Sequence, residues 1–112
     1  MKKKYTLVVL TNAVAGKEVE FNDWYTKKHL KDVIAVPGFV SAQRYQVVGD
    51  PVAADPLFKY FASYEIETDD PKAAIAEMMK RAGTEQMPLS DGLDAKMYVT
   101  LYETITPKVT HA

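Results

Sequence analysis

The sequence predicts an α+β fold with a four-stranded antiparallel sheet. Four segments are rich in β-branched and apolar residues, as strands are, and two segments with helical spacing of apolar residues follow the first and third of them. A chain of 112 residues can form one compact core, so residues 1–112 are expected to form a single domain. The resulting order, β-α-β-β-α-β, is that of a ferredoxin-like domain, in which both helices cover one face of the sheet.

The first strand and first helix are separated by a short turn. Tyr5 to Thr11 is apolar or β-branched on both faces, as in a central strand. From Glu18 to about Lys28 the chain contains helix formers without Gly or Pro, and acidic residues in the first turn favour a helix there. The pair Pro37-Gly38 ends the helical region, and we expect a positive φ at the glycine.

The central part of the chain predicts two strands joined by a loop. Phe39 to Val48 forms the second strand and Lys59 to Glu67 the third. Two Asp-Pro pairs between Gly49 and Pro56 indicate a loop longer than a tight hairpin. The third strand is expected to direct Tyr60, Ala62, Tyr64 and Ile66 to one face of the sheet and the alternate side chains to the other.

The second helix has recognisable signals at both ends. Asp70 is suited to cap its N-terminus, with a proline at the first helical position, and Gly83 is suited to its C-terminal end. A loop from Thr84 to Asp94 then leads to a fourth strand, Lys96 to Ile105.

The sheet face that the helices leave uncovered also carries aromatic residues. Tyr98 and Tyr102 are expected on that face, and a bare aromatic face indicates a partner surface. The simplest partner is a second copy of the chain, so we expect a homodimer with the two sheets face to face.

The composition excludes several classes of function. The chain has 14 Lys+Arg, 15 Asp+Glu and a net charge of −1, so it lacks the basic field of a nucleic-acid-binding protein. There is no cysteine, and the two histidines, His29 and His111, nearly exclude a multi-histidine metal site within one chain. Nucleotide-phosphate motifs are missing as well. We therefore expect neither a metal nor a cofactor.

The apolar run near the N-terminus does not predict targeting or membrane insertion. It extends only from Leu7 to Leu10, which is too short for a secretory signal or a membrane span. We expect a cytoplasmic protein without a membrane partner.

The residues with the most chemical interest lie along the first helix. Asn22, Tyr25, His29 and Asp32 fall near one helical stripe, whereas Trp24 and Val33 lie on nearly opposite sides. One straight helix with a single buried face does not explain this. Either the helix breaks near His29, which we favour, or the aromatic side meets a second buried surface.

The spacing of His29 and Asp32 permits two interpretations. The carboxylate, three residues after the histidine, can accept a hydrogen bond from one ring nitrogen and leave the other as an acid or base. Tyr25 can then orient a substrate oxygen. Alternatively, His29 bonds a backbone carbonyl while Trp24 and Tyr25 fill the core.

Residues 18–48 resemble the EthD-like family, which is named after a protein of ethyl tert-butyl ether degradation and belongs to the dimeric α+β barrel superfamily. The resemblance rests on the pattern Phe21-Asn22-x-Trp24-Tyr25-x-x-x-His29-Leu30-x-Asp32-Val33-x-x-x-Pro37-Gly38-Phe39, followed by Arg44-Tyr45. It implies the fold expected above, including the face-to-face dimer.

The resemblance also implies a range of functions. Relatives include cofactor-independent isomerases, cyclases, dehydratases and monooxygenases that act on small organic molecules. By position, His29 matches the family histidine, Trp24 and Tyr25 the aromatic pair, and Arg44 a basic position.

We therefore expect two sets of site residues. His29 and Asp32 are the expected catalytic residues, and the expected substrate contacts are Trp24, Tyr25, Phe39 and Arg44. The ligand is expected to be a small apolar or aromatic carbonyl compound, and a non-catalytic binding protein with the same pocket is the alternative.

Overall fold

The computed structural model describes residues 1–48 and 57–112, and the loop expected over Gly49–Pro56 lies outside the described residues. The strands are β1 (Lys3–Thr11), β2 (Phe39–Gln46), β3 (Tyr60–Thr68) and β4 (Tyr98–Glu103). The helices are α1 (Glu18–Trp24), α2 (Leu30–Ile34) and α3 (Pro71–Arg81), and a π-helical segment (Tyr25–His29) joins α1 to α2. In the described part of the chain, no helix has the length and apolar character that a membrane span requires.

The four strands form one antiparallel sheet in the order β2-β3-β1-β4. Leu7, at the centre of β1, pairs with Tyr64 on one side and Leu101 on the other. The order of elements and the sheet topology confirm the predicted ferredoxin-like α+β fold. The fourth strand is shorter than expected. It ends at Glu103, and Ile105 lies beyond it and is almost fully exposed.

The two faces of the sheet differ in burial as the alternation predicts. Of the two alternate sets of side chains on β3, the one that is buried against the helices consists of Tyr60, Ala62, Tyr64 and Ile66. On the opposite face, Tyr98 is 48% exposed and Tyr102 51% exposed. The helices therefore cover one face only, and the core lies between that face and the helices.

The helix α3, which is the second of the two predicted helices, begins and ends as its sequence predicts. The side chain of Asp70 accepts a hydrogen bond of 3.1 Å from the backbone N–H of Ala73, and Pro71 follows at the first helical position. Gly83 lies just after the helix with a φ of +85°. The helical spacing in the sequence places Met79 with Ile75, Met78 and Ala82 in an apolar stripe, but Met79 is 65% exposed, so that prediction was wrong for Met79.

The first helical region is irregular at the predicted place, but it does not break. The chain keeps helical φ and ψ values through Trp24, His29 and Leu30, and the Leu30 N–H donates to the carbonyl of Tyr25, five residues earlier. This i→i+5 bond defines a π turn, a feature that is frequent at functional sites. The expected break at His29 is therefore a widened turn that ends at His29.

The second buried surface, which was the alternative to a break, is also present. Phe21 is fully buried and lies against Gly92, where an added Cβ would come within 3.1 Å of the Phe21 Cβ. The indole Nε1 of Trp24 donates a hydrogen bond of 3.1 Å to the carbonyl of Pro88. The loop between α3 and β4 therefore covers the aromatic side of α1, while Val33 packs into the core.

The turn into β2 has the predicted backbone. Gly38 has a φ of +96°, a conformation that residues with a Cβ rarely adopt. Its carbonyl accepts a hydrogen bond of 2.8 Å from the N–H of Glu67, which joins the turn to β3.

Candidate functional site

A cavity of about 240 Å³ lies between the helical layer and the sheet, bordered by the loop between α3 and β4. Its volume is below the roughly 300–1,000 Å³ of sites for drug-sized ligands, so it suits a one- or two-ring molecule. Apolar side chains form most of its wall, including Val9, Val33, Met78, Met79, Met87, Leu89, Leu93, Met97 and Val99. The polar-tipped side chains in the wall are Tyr25, His29 and Tyr64.

His29 is held in the cavity wall by two aromatic rings. Its imidazole stacks on the indole of Trp24 with ring centroids 4.5 Å apart and an interplanar angle of 27°. It meets the ring of Tyr25 edge to face, at 4.8 Å and 89°. Because Trp24 is itself fixed by its hydrogen bond to Pro88, the position of the imidazole is determined by packing on both sides.

The surroundings of His29 favour its neutral form. Burial lowers the pKa of His29 to about 4, which the negative charge of Asp32 opposes and the positive charge of Arg44 reinforces. At neutral pH the imidazole is therefore uncharged, with one nitrogen donating and one accepting.

The expected hydrogen bond between His29 and Asp32 is not formed. Asp32 Oδ1 accepts a bond of 3.0 Å from Lys28 Nζ instead. Its second oxygen, Oδ2, and His29 Nδ1 are both buried without a hydrogen-bond partner among the described residues. Asp32 does not line the cavity, so it acts on the imidazole through its charge alone.

Tyr25 and Tyr64 form a buried pair of hydroxyls in the cavity wall. Their oxygens lie 3.0 Å apart, and the side chains are 2% and 1% exposed. Burial raises the pKa of both phenols, and for Tyr64 the neighbouring Tyr25 raises it further. Both hydroxyls therefore stay protonated across the neutral range.

Arg44 lies behind this pair and not in the cavity. Its guanidinium carbon is 4.6 Å from the centroid of the Tyr25 ring, and its nitrogens donate to Asn22 Oδ1 at 2.9 Å and to Thr26 Oγ1 at 2.8 Å. Partial burial lowers the pKa of Arg44, which the nearby tyrosines oppose. No carboxylate in residues 1–48 or 57–112 forms an ion pair with it.

The remaining expected contact, Phe39, is part of the core. It is 6% exposed and its ring meets Tyr64 edge to face at 6.2 Å. It does not line the cavity. The structure thus places Tyr25 and His29 in the cavity wall, whereas Trp24, which stacks on His29, lies outside the wall, as do Phe39 and Arg44.

Searches of protein-family models and of curated protein sequences find no match, but solved structures do resemble this chain. An EthD-like protein from Ralstonia eutropha JMP134 superposes with a TM-score of 0.70 at 14% identity, over 96% of this chain and 97% of that one. An ethyl tert-butyl ether degradation family protein from Bacillus halodurans C-125 superposes with a TM-score of 0.56 at 19% identity, over 91% and 99%.

The chain has the fold of the EthD-like proteins. The resemblance seen in the sequence is therefore confirmed at the level of fold. A third structure, described as a candidate monooxygenase from Shewanella loihica PV-4, has a TM-score of 0.63 at 20% identity, over 96% of this chain and 99% of that one.

Within this EthD-like fold, the sequence did not reveal two parts of the site. The alternation on β3 groups Tyr64 with Tyr60 and Ile66 on one face, but nothing in a strand pattern shows which helical side chain meets Tyr64. Four of the five methionines of the chain line the cavity, namely Met78, Met79, Met87 and Met97. That these four side chains meet in one cavity could not be inferred from positions on a helix, in a loop and just before a strand.

In the described ranges, no group of three or more His, Cys, Asp or Glu side chains is arranged to hold a metal ion. The polar chemistry of the wall consequently comes from one imidazole and two phenols.

Proposed function

We propose that this protein binds a small, neutral, apolar or aromatic carbonyl compound in the cavity, and that His29 is the acid or base in any reaction there. The observation that carries the proposal is the cavity itself, an apolar chamber with an imidazole and two phenols in its wall. Ligand sites typically have this character, with a few polar groups that fix orientation inside an apolar wall.

The methionine-rich wall supports an organic ligand of variable shape. Thioether side chains are flexible and polarisable, and they make favourable contacts with aromatic rings. Met79, Leu89 and Met97 are each 40% exposed or more, so they mark where the cavity meets solvent and where a ligand would enter.

Non-catalytic binding is the second candidate, and the lowered pKa of His29 favours it. A general base works best when its pKa lies near the operating pH, and an imidazole with a pKa of about 4 is a weak base at neutral pH. A neutral imidazole can still orient a ligand by hydrogen bonding.

We also propose that the protein is a homodimer that uses the uncovered sheet face. Besides Tyr98 and Tyr102, this face contains Tyr45, whose ring stacks on Phe61 at 4.8 Å, and an open, mostly apolar groove of about 520 Å³. Exposed apolar surface of this extent on a sheet is typical of an interaction site.

The binding proposal is tested with 1-tetralone, a two-ring aromatic ketone. Trp24 is the only tryptophan and stacks on a residue of the cavity wall, so quenching of its fluorescence reports binding. Val99→Phe should weaken binding at least about tenfold because the larger side chain fills the cavity. The matched control is Val40→Phe, at a position that is similarly exposed but outside the cavity.

Two results would contradict the binding proposal. One is the lack of any fluorescence response to the ketone in the wild-type protein, and the other is equal affinity in Val99→Phe and wild type. Catalysis is separated from binding by exchange of the ketone's α-hydrogens for deuterium in D₂O, followed by NMR. Exchange that requires His29 supports proton transfer, and binding without exchange supports the second candidate.

A further inference from the structure

The hydroxyls of Tyr25 and Tyr64 have two hydrogens, and the hydrogen bond between them uses only one. One hydroxyl donates to the other across 3.0 Å, which leaves the accepting hydroxyl with its own hydrogen. Neither oxygen forms another hydrogen bond with the described residues. A buried donor without an acceptor is costly, and both side chains lie in the wall of the cavity.

The position of Arg44 indicates which hydroxyl retains the unused hydrogen. Its guanidinium lies 4.6 Å from the Tyr25 ring centroid, and a nearby positive charge makes a phenol a stronger donor. Either hydroxyl can donate by geometry, and the charge of Arg44 favours Tyr25 as the donor to Tyr64. Hydrogen bonds in a chain polarise one another, so the hydroxyl of Tyr64 becomes a better donor through the bond it accepts.

We propose that the Tyr64 hydroxyl is the hydrogen-bond donor that selects a ligand carbonyl oxygen in the cavity, and that Tyr25 is a positioning residue that acts through it. This inference rests on the proposed function, because it assumes that the ligand occupies the same cavity. It adds a specificity-determining residue and narrows the ligand class to neutral ketones, quinones and related carbonyl compounds.

The same surroundings disfavour an anionic ligand. The wall is almost entirely apolar, and removing a carboxylate from water into such a chamber is costly without a paired cation. Arg44 is not in the wall, and its two terminal nitrogens already donate to Asn22 and Thr26. A phenol that resists ionisation, as Tyr64 does, suits a neutral acceptor.

The test compares 1-tetralone with tetralin, which has the same two-ring skeleton without the carbonyl. In Tyr64→Phe, the ratio of the ketone Kd to the hydrocarbon Kd should rise about 3- to 10-fold, as expected for the loss of one hydrogen bond. The hydrocarbon corrects for any change in packing. The matched control is Tyr60→Phe on the same strand and face, because the Tyr60 hydroxyl accepts from Asn22 and lies outside the cavity; its ratio should not change.

A second measurement begins with the wild-type protein and needs no variant for its first result. The infrared carbonyl band of ¹³C-labelled 1-tetralone bound to the wild-type protein should lie at lower frequency than the band of the same ketone in an alkane solvent, where nothing hydrogen-bonds the carbonyl. Tyr25→Phe should reduce this shift without abolishing it, because Tyr64 keeps its own hydrogen.

The outcomes separate the inference from the proposed function. Failure of both ligands to bind overturns the proposed function and the inference with it. Binding of both, with an unshifted carbonyl band or an unchanged ratio in folded Tyr64→Phe, overturns the inference alone. A loss of the shift in Tyr25→Phe but not in Tyr64→Phe also overturns it, since the donor would then be Tyr25.

Discussion

The partly buried imidazole of His29 should make the stability of the protein sensitive to mild acid, and His29→Gln tests this. The unfolded chain binds a proton at this histidine near pH 6.5, whereas burial lowers the pKa of the folded state to about 4. Between these pH values the unfolded state binds more protons at His29 than the folded state does. The contribution of the neutral His29 to stability is therefore fully present above pH 6.5 and is lost as the pH falls toward 4. Below that value the loss is complete.

The size of the effect follows from the two pKa values. A difference of one pH unit corresponds to about 1.4 kcal/mol, which gives about 3 kcal/mol at pH 4. The ring is partly exposed, so solvent reduces the effect, and we expect about 2 kcal/mol. For a chain of 112 residues, that corresponds to about 8 °C in Tm at an unfolding entropy of ~2 cal/mol/K per residue.

Thermal and urea unfolding between pH 7.5 and pH 4 measure this contribution. The difference in free energy of unfolding between wild type and His29→Gln should decrease by about 2 kcal/mol across that range. His111→Gln is the matched control, because His111 is exposed in the C-terminal tail; its curve should parallel that of the wild type.

Two results would refute the reasoning. Parallel curves for wild type and His29→Gln would mean that the folded protein does not disfavour the charged ring. A gain of wild-type stability toward pH 4 would mean that attraction to Asp32 outweighs burial. That outcome would support an ion pair between His29 and Asp32, which their spacing in the sequence permits.

Two further predictions concern assembly and the turn before β2. Light scattering at micromolar concentration should give about twice 12.6 kDa, and Val8→Asp, in the middle of the uncovered sheet face, should give the monomer; a monomeric wild type would exclude the face-to-face dimer. Gly38→Val should lower the free energy of unfolding by about 1–3 kcal/mol. The cost comes from the backbone, since an added Cβ would meet only ordinary contacts of 3.6 Å or more, and an unchanged Tm would contradict it.

Strands and helix ends were predictable because their signals are local. The alternation on β3 placed Tyr64 and Ile66 on the same face, and Asp70 and Gly83 marked the ends of α3, as the structure confirms. The opposite placement of Trp24 and Val33 likewise predicted an irregular helix. Each of these conclusions depends on residues within a few positions of one another.

The interactions of the site were less predictable because they depend on competition and on distant residues. Asp32 lies three residues after His29 and four after Lys28, and both spacings allow contact on a helix. The ammonium of Lys28 forms the bond to Asp32, because it carries a charge whereas the imidazole of His29 is neutral. Tyr25 and Tyr64 are 39 positions apart, and no local pattern links them.

The π turn from Tyr25 to His29 also determines which changes the first helical region can accept. An i→i+5 turn holds one residue more than an α-helical turn. In a regular helix the 12 positions from Phe21 to Val33 would place these two buried side chains about 120° apart, and the widened turn absorbs the extra residue so that both face the core. Deleting one residue there would restore a regular helix in which the two side chains, then 11 positions apart, still share a face to within about 20°. The extra residue is therefore not needed to bury the helix. It shapes the cavity wall, because Tyr25 and His29 lie at the two ends of the turn, and a lineage that lost it would retain the helix and its buried face but change that wall.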